Sequence, residues 1–176
     1  LNSHDSGVCT NTDTGSATTV WDVAHGANKT VAVMAEWSRF ADYGQASSRT
    51  VSIAPSSRED SLAWINTVIL PTLDTADLVW LQLDGLDSYS HSKNEDGYRR
   101  IAAFYDRHVM APLYAHAQAN PKTVIVVSAD HGSNIARGHH LRDTVPLVVY
   151  QKDIVPRLIT TTVYITSVAS IVATTI

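Results

Sequence analysis

Short apolar runs alternate with amphipathic stretches along most of this chain. Four of the runs are apolar enough to form buried strands. They are Thr30–Ala35, Asp77–Leu83, Thr123–Ser128 and Pro146–Tyr150. Strands that alternate with helices usually assemble into a parallel sheet that helices cover on both sides. The pattern therefore predicts an α/β fold, with a mostly parallel sheet and helices on both faces.

Three stretches repeat apolar residues at the spacing of a helix. Thr18–Ala27 is predicted to be a short helix, and Ser57–Leu70 a longer one that Pro71 closes. Glu95–Ala119 is predicted to be a long helix in which Pro112 introduces a kink. Their apolar faces are expected to pack against the sheet.

Polar or uncharged stretches lie outside these elements. Leu1–Ser16, Ser38–Ser57 and Asp84–Asn94 are rich in polar residues and are predicted to be loops. The tail Leu158–Ile176 is almost free of charge but carries many threonines, so we expect it to pack against protein. Its end, Ile165–Ile176, fits a helix or a strand equally well.

Composition narrows the classes of function. With 44% hydrophobic and 17% charged residues, the 176-residue chain is expected to form a single domain over residues 1–176. Its formal net charge of −4 gives no electrostatic footprint for nucleic acid, and no membrane insertion is expected. Cys9 is the only cysteine, which excludes an intrachain disulfide. Cysteine content therefore does not indicate whether the protein works in an oxidising or a reducing compartment.

Acidic and histidine side chains gather in two segments that each follow a predicted strand. The candidates are Asp87, His91, Asp130, His131 and His140. Because the carboxyl ends of parallel strands meet at one edge of a sheet, these side chains are expected to converge. Carboxylate oxygen and imidazole nitrogen together suit zinc or manganese. For the adjacent Asp130 and His131, the alternative is a polar strand end that hydrogen-bonds a neighbouring loop.

These segments resemble the alkaline phosphatase superfamily. The resemblance rests on DLVWLQLDGLDSYSH, a long helix through YDRHV, the motif VIVVSADHG, and a histidine ahead of VPLVVY. Asp87 and His91 match the family's Asp-x-x-x-His, and the segment from Asp130 to Gly132 matches its Asp-His-Gly. His140 precedes Val-Pro as in the phosphomutase pattern H-x-x-x-x-V-P, so we prefer it to its neighbour His139. Within this superfamily, the chain most resembles the type I phosphodiesterase/nucleotide pyrophosphatase group. The metal-dependent phosphomutases are the second choice.

The resemblance implies a site for two divalent metal ions, with zinc expected first and manganese second. One ion would take Asp87, His91 and His140. The other would take Asp130 and His131, together with an Asp and a nucleophilic Thr or Ser that lie upstream of the matched region in the family. No nucleophile can therefore be assigned in this chain.

This departure from the family suggests that the chain, which begins with Leu1, is the carboxy-terminal part of a larger catalytic domain. The alkaline phosphatase-like core would then be incomplete at its N-terminus. An N-terminal segment or a partner chain would supply the remainder.

The leading functional hypothesis is a metal-dependent phosphodiesterase or pyrophosphatase, acting on a phosphate ester or nucleotide-type small molecule. Arg137, His139 and Arg142 flank the second metal motif and are candidates for contacting a substrate phosphate. Exposed loop arginines are the alternative for Arg137 and Arg142, and a solvated neighbour of the metal motif is the alternative for His139. A manganese-dependent phosphomutase is the second hypothesis, suggested by the segment HLRDTVP. A non-catalytic metal-binding descendant or fragment, and a plain structural α/β domain, are the other two.

Overall fold

The computed structural model describes residues 18–43, 45–54, 58–141, 144–156 and 158, and of residues 41, 58–60 and 139 it describes the backbone alone. The predictions for Leu1–Ser16 and, beyond Leu158, for the tail Leu158–Ile176 with its end Ile165–Ile176 lie outside the described residues. Each described helix is too short or too polar to cross a lipid bilayer.

The central sheet has three parallel strands. These are β1 (Val31–Ala35), β2 (Thr50–Ile53) and β3 (Leu78–Gln82), in the order β2-β1-β3. The middle residue of β1, Val33, is in register with residue 51 of β2 and residue 80 of β3. The predictions of β1 and β3 are confirmed. The prediction of an irregular stretch over 38–57 is wrong at β2, where Thr50 and Ser52 interrupt the apolar pattern that would have revealed a strand.

Helices cover this sheet on both sides, as predicted. Successive side chains of β1 point to opposite faces, and both faces are apolar, so each must be covered. On one side, Ala32 and Met34 pack under α2 (Arg58–Trp64) and α5 (Glu95–Tyr105). On the other side, Val31 and Val33 pack against α1 (Val20–Gly26) and its neighbours. All five residues of β1 are buried, so this strand is the centre of the core.

The remaining strands form two antiparallel pairs. β4 (Val124–Val127) pairs with β7 (Val148–Gln151), and β5 (Gly132–Asn134) forms a hairpin with β6 (His139–Leu141). The prediction of four strands in one mostly parallel sheet is therefore wrong for β7, which runs antiparallel to β4. A parallel connection needs a long crossover that is usually helical, whereas the described part of the connection from β4 to β7 contains only the hairpin.

Two predicted helices continue through a proline. A π-helical segment, Ile65–Ile69, joins α2 to α3 (Leu70–Thr72), and another, Asp106–Met110, joins α5 to α6 (Ala111–Ala119). Each is followed by a proline in the first turn of the next helix. Proline lacks an N–H and its ring crowds the preceding turn, and a wider π turn accommodates both defects. The prediction that Pro71 closes its helix is wrong, because the helix continues through it.

Helix α1 begins with a capping box that also anchors the segment before β2. The Thr19 hydroxyl accepts from the Asp22 backbone N–H, and the Asp22 carboxylate accepts in return from the Thr19 N–H at 2.7 Å. The same carboxylate accepts from the Gln45 N–H at 2.9 Å and from the Ser48 hydroxyl at 2.5 Å. Burial raises the pKa of Asp22, but hydrogen bonds from Ser48 and Thr19 outweigh burial and lower the pKa to about 2.

Replacing Asp22 with Asn is expected to destabilise the chain by about 1 kcal/mol, since hydrogen bonds to a charged acceptor are lost. The folded pKa of about 2 lies below the ordinary value of 3.8, so this stabilisation is present above 3.8 and lost as pH falls through the folded value. Thermal denaturation should therefore show a constant gap between wild type and Asp22→Asn above a pH of about 5, which closes toward a pH of about 2.

The control is Asp153→Asn, which changes an exposed carboxyl outside this network. A gap between Asp22→Asn and wild type that widened on acidification would contradict the assignment.

Candidate metal centre

The first group of candidate ligands lies on a helix and not on the loop predicted over Asp84–Asn94. Gly85–His91 forms helix α4, directly after β3. Asp87 and His91 are one helical turn apart on the same face, and the His91 Nε2 atom lies 3.3 Å from the Asp87 Oδ2 atom. Gly, Ser and Asp are poor helix formers, which explains why the local sequence did not predict this helix.

The β5–β6 hairpin carries the third candidate, His140, to the end of α4. Its turn contains Gly138 at φ 68°, a left-handed conformation that favours glycine. A Cβ atom at Gly138 would lie 3.0 Å from the backbone oxygen of His91. The hairpin therefore approaches the last turn of α4 closely enough to place His140 beside His91.

Asp87, His91 and His140 meet in one cluster. The Nε2 atoms of His91 and His140 are 2.9 Å apart, and the His140 Nε2 atom is 3.4 Å from the Asp87 Oδ1 atom. One potential ligand atom from each residue lies within 4.8 Å of the others. In the described part of the chain, these three residues form a group of His and Asp side chains close enough to share one metal ion. The structure thus brings together the three residues that the resemblance assigns to one metal ion.

His131 and Asp130 lie next to this cluster. The His131 ring stacks on the His140 ring at 3.7 Å between centroids, and its Nε2 atom is 4.0 Å from the Asp87 Oδ1 atom. Asp130 is 84% exposed and its Oδ2 atom lies 3.4 Å from the His131 Nε2 atom. The adjacent pair therefore borders the cluster through His131, while Asp130 faces solvent.

The predicted phosphate-contacting residues lie on the same hairpin or beyond it. Arg137 is exposed in the turn between β5 and β6. His139 belongs to β6, where its backbone pairs with Asn134, and its side chain lies outside the description. Arg142 lies outside the described residues, so its predicted role stays a prediction.

The cluster has the electrostatic character of a cation site. The Asp87 Oδ1 atom is buried without a hydrogen-bond partner, although the residue's side chain is 25% exposed. A buried carboxylate oxygen facing imidazole nitrogens needs a proton or a cation between them. Ligand atoms about 2.1 Å from a tetrahedral ion are about 3.4 Å apart, close to the separations found between these side chains. Asp87, His91 and His140 therefore fit one divalent ion.

A residue that sequence reasoning missed, Glu36, lies directly after β1. Its Oε2 atom accepts from the backbone N–H groups of Asp84, at 2.6 Å, and Gly85, at 3.0 Å. It also accepts a short hydrogen bond from the Tyr105 hydroxyl. Burial, and next the neighbouring Glu36 carboxylate, raise the pKa of Tyr105 above its ordinary value, so this hydroxyl stays a donor. The sequence feature that could have pointed to Glu36 is an acidic residue at the carboxyl end of a buried strand.

Comparison with known proteins gives a family match over almost the whole chain. The sequence model described as "Metalloenzyme superfamily" matches residues 13–176.

Among curated proteins, the chain is similar to 2,3-bisphosphoglycerate-independent phosphoglycerate mutases. It is 31% identical to that of Methanosarcina barkeri over 86 residues, which cover 48% of this chain and 21% of the relative. It is 34% identical to that of Aeropyrum pernix over 83 residues, which cover 47% of this chain and 20% of the relative. The matched region thus spans about a fifth of the length of these relatives.

A solved structure, described as the PH0037 protein from Pyrococcus horikoshii, has a similar fold. The TM-score is 0.60 at 17% sequence identity, and the match covers 74% of this chain and 40% of that one. This likeness supports the α/β fold.

A side chain at Gly85 is expected to disrupt the start of α4. A Cβ atom there would lie 2.7 Å from the Ile101 Cγ1 atom and closer still to the Tyr105 hydroxyl. Gly85→Ala should therefore lower the free energy of unfolding by about 1–3 kcal/mol, the usual cost of overpacking. Urea denaturation measures this loss.

Gly26→Ala is the matched control, since nothing lies within 4 Å of a Cβ atom at Gly26. Equal stability of the two variants would contradict the close packing of Gly85.

Proposed function

This chain belongs to the Metalloenzyme superfamily, and we propose that it forms the metal-binding part of a phosphomutase. The proposal is in keeping with a superfamily whose members use divalent metals for phosphoryl transfer. The curated relatives are phosphoglycerate mutases, which favours this alternative over the phosphodiesterase or pyrophosphatase expected first. The proposed substrate is accordingly a small phosphate ester of the phosphoglycerate type.

The observation that carries the proposal is the cluster of Asp87, His91 and His140. Three ligands from two separate elements converge around a buried carboxylate oxygen without a hydrogen-bond partner. Such a donor set is common to zinc and manganese sites, so the proposal covers both metals.

A bound divalent ion would stabilise negative charge on the oxygens of a transferring phosphoryl group. The protein's own part is to hold the ligand atoms in place. Asp87 offers a carboxylate, and His91 and His140 each direct an Nε2 atom toward it. Neutral imidazole is the form that binds a metal, so these rings must be unprotonated at the nitrogen that faces the ion.

His131 is prepared for a related role at a second ion. Its Nδ1 atom lies 3.1 Å from the Gly132 carbonyl oxygen, which can accept a hydrogen bond from an Nδ1–H group; in that tautomer Nε2 carries the lone pair. That lone pair faces the carboxylate of Asp130 at 3.4 Å. The pair therefore favours a cation, and the proposal assigns Asp130 and His131 to the second metal together with ligands from elsewhere.

The β5–β6 hairpin is the proposed place for substrate phosphate. Arg137 lies exposed in its turn, and we include His139 and Arg142 as further contacts. An arginine can bind two phosphate oxygens at once, which would orient the transferring group beside the cluster. No residue of this chain is assigned as nucleophile, so another segment or chain is proposed to supply it.

Loss of one ligand from the cluster should weaken metal binding more than about tenfold, because even partners outside the ligand set usually contribute that much. The experiment is titration calorimetry of Mn²⁺ and of Zn²⁺ with wild type, His91→Ala and His140→Ala. His25→Ala, which changes an exposed histidine of α1, is the control and should bind like wild type. Metal affinity and stoichiometry that stay at the wild-type values in both ligand variants would overturn the proposed site.

Substrate class separates the phosphomutase from the hydrolase. The manganese-loaded chain is expected to bind phosphoglycerate, and to lose that binding in the His91→Ala variant or after chelation. A bis-nitrophenyl phosphodiester should neither bind comparably nor be hydrolysed. Preferential binding or turnover of the diester would favour the phosphodiesterase hypothesis instead.

A further inference from the structure

We propose that Glu36 is a positioning residue that sets helix α4, and with it Asp87 and His91, in the geometry required for metal binding. This inference rests on the proposed function. Glu36 is not itself in the metal cluster, and it acts through the backbone of the helix that carries two of the ligands.

Helix α4 needs an external anchor at its start. It has seven residues, Gly85–His91, and a helix of that length is marginal without tertiary contacts. The residue at its N-cap position, Asp84, makes no capping hydrogen bond with its side chain. The Asp84 Oδ2 atom instead accepts from the Ser88 hydroxyl at 2.9 Å.

Glu36 supplies the missing cap from a different element. Its carboxylate accepts from two N–H groups at the start of the helix, which have no partner within the helix. A negative charge is also favoured there by the dipole of the helix. Because Glu36 follows the fully buried strand β1, the position of this charge is set by the core.

Tyr105 completes the anchor from a third element, α5. Its hydroxyl donates to Glu36 and lies 2.9 Å from the Gly85 nitrogen, whose N–H it accepts. The Tyr105 ring is 5% exposed and belongs to the main core cluster. The start of α4 is therefore fixed relative to both β1 and α5 by one carboxylate and one phenol.

This anchor bears on metal binding because the ligands come from different elements. Asp87 is two residues beyond Gly85 on α4, whereas His140 is on β6. A shift or rotation at the start of α4 would move Asp87 and His91 together relative to His140. Catalytic and metal geometries tolerate displacements of only about 0.5 Å, so the anchor controls whether three ligands reach one ion.

The test compares Glu36→Leu, which removes the acceptor, with Glu36→Gln, which keeps one acceptor oxygen. Titration calorimetry with Mn²⁺ is expected to show about a tenfold loss of affinity for Glu36→Leu. Glu36→Gln should recover most of it. The absorption spectrum of the Co²⁺-loaded chain should change in Glu36→Leu, because the geometry of the ligands changes.

One further measurement and one control variant separate positioning from general stability. Hydrogen exchange on the metal-free chain should be faster at the Gly85 amide in Glu36→Leu and, to a smaller degree, in Tyr105→Phe. The milder Tyr105→Phe provides the test if Glu36→Leu does not fold. Asp22→Asn removes a helix-capping carboxylate from α1, on the other side of the sheet, and is expected to leave Mn²⁺ affinity and the Co²⁺ spectrum unchanged.

Unchanged affinity, spectrum and exchange in a folded Glu36 variant would overturn the inference, as would an equal loss of affinity in Asp22→Asn. If wild type bound no metal, the proposed function would fail on its own. Exchange at the Gly85 amide would then still decide whether Glu36 holds the helix: faster exchange would support the anchor and unchanged exchange would refute it.

Discussion

Burial of β1 on both faces is the constraint on which the rest of the structure depends. Ala32 and Met34 fill one side of the sheet, and Val31 and Val33 fill the other. A strand without a polar face can meet water only at its ends, so charged groups collect where it stops. Glu36 is the first such group, and its bonds to the start of α4 connect the core to the cluster of candidate ligands.

The cluster itself brings together a carboxylate and imidazole nitrogens that need a proton or a cation between them. The Asp87 Oδ1 atom is buried, and two imidazole nitrogens face the same carboxylate. Protein interiors rarely leave such an oxygen without a partner unless the group serves a function. Because the chain belongs to the Metalloenzyme superfamily, a divalent ion is the proposed partner of this carboxylate.

The sequence allowed prediction of those elements whose signal is local. Continuous apolar runs revealed β1, β3 and β4, and the motif spacing singled out Asp87, His91 and His140 before the structure showed that they meet. Strand β2 escaped prediction because its polar residues fit a half-buried edge position. Helix α4 escaped it because its start is held by Glu36, which follows β1, and by Tyr105 of α5, and its own residues are poor helix formers. Strand β7 runs antiparallel to β4, and the β5–β6 hairpin lies between them along the chain. The strands of that hairpin are short and polar, so the sequence pattern does not predict them.

The partial exposure of the cluster has a consequence for how an ion would exchange with the medium. The His91 side chain is 42% exposed, and those of Asp87 and His140 are 25% and 27% exposed. An ion held there would have solvent on one side and no enclosing shell of described residues. Its occupancy would follow the free concentration of the ion in the medium, and chelating agents would remove it without any unfolding of the protein.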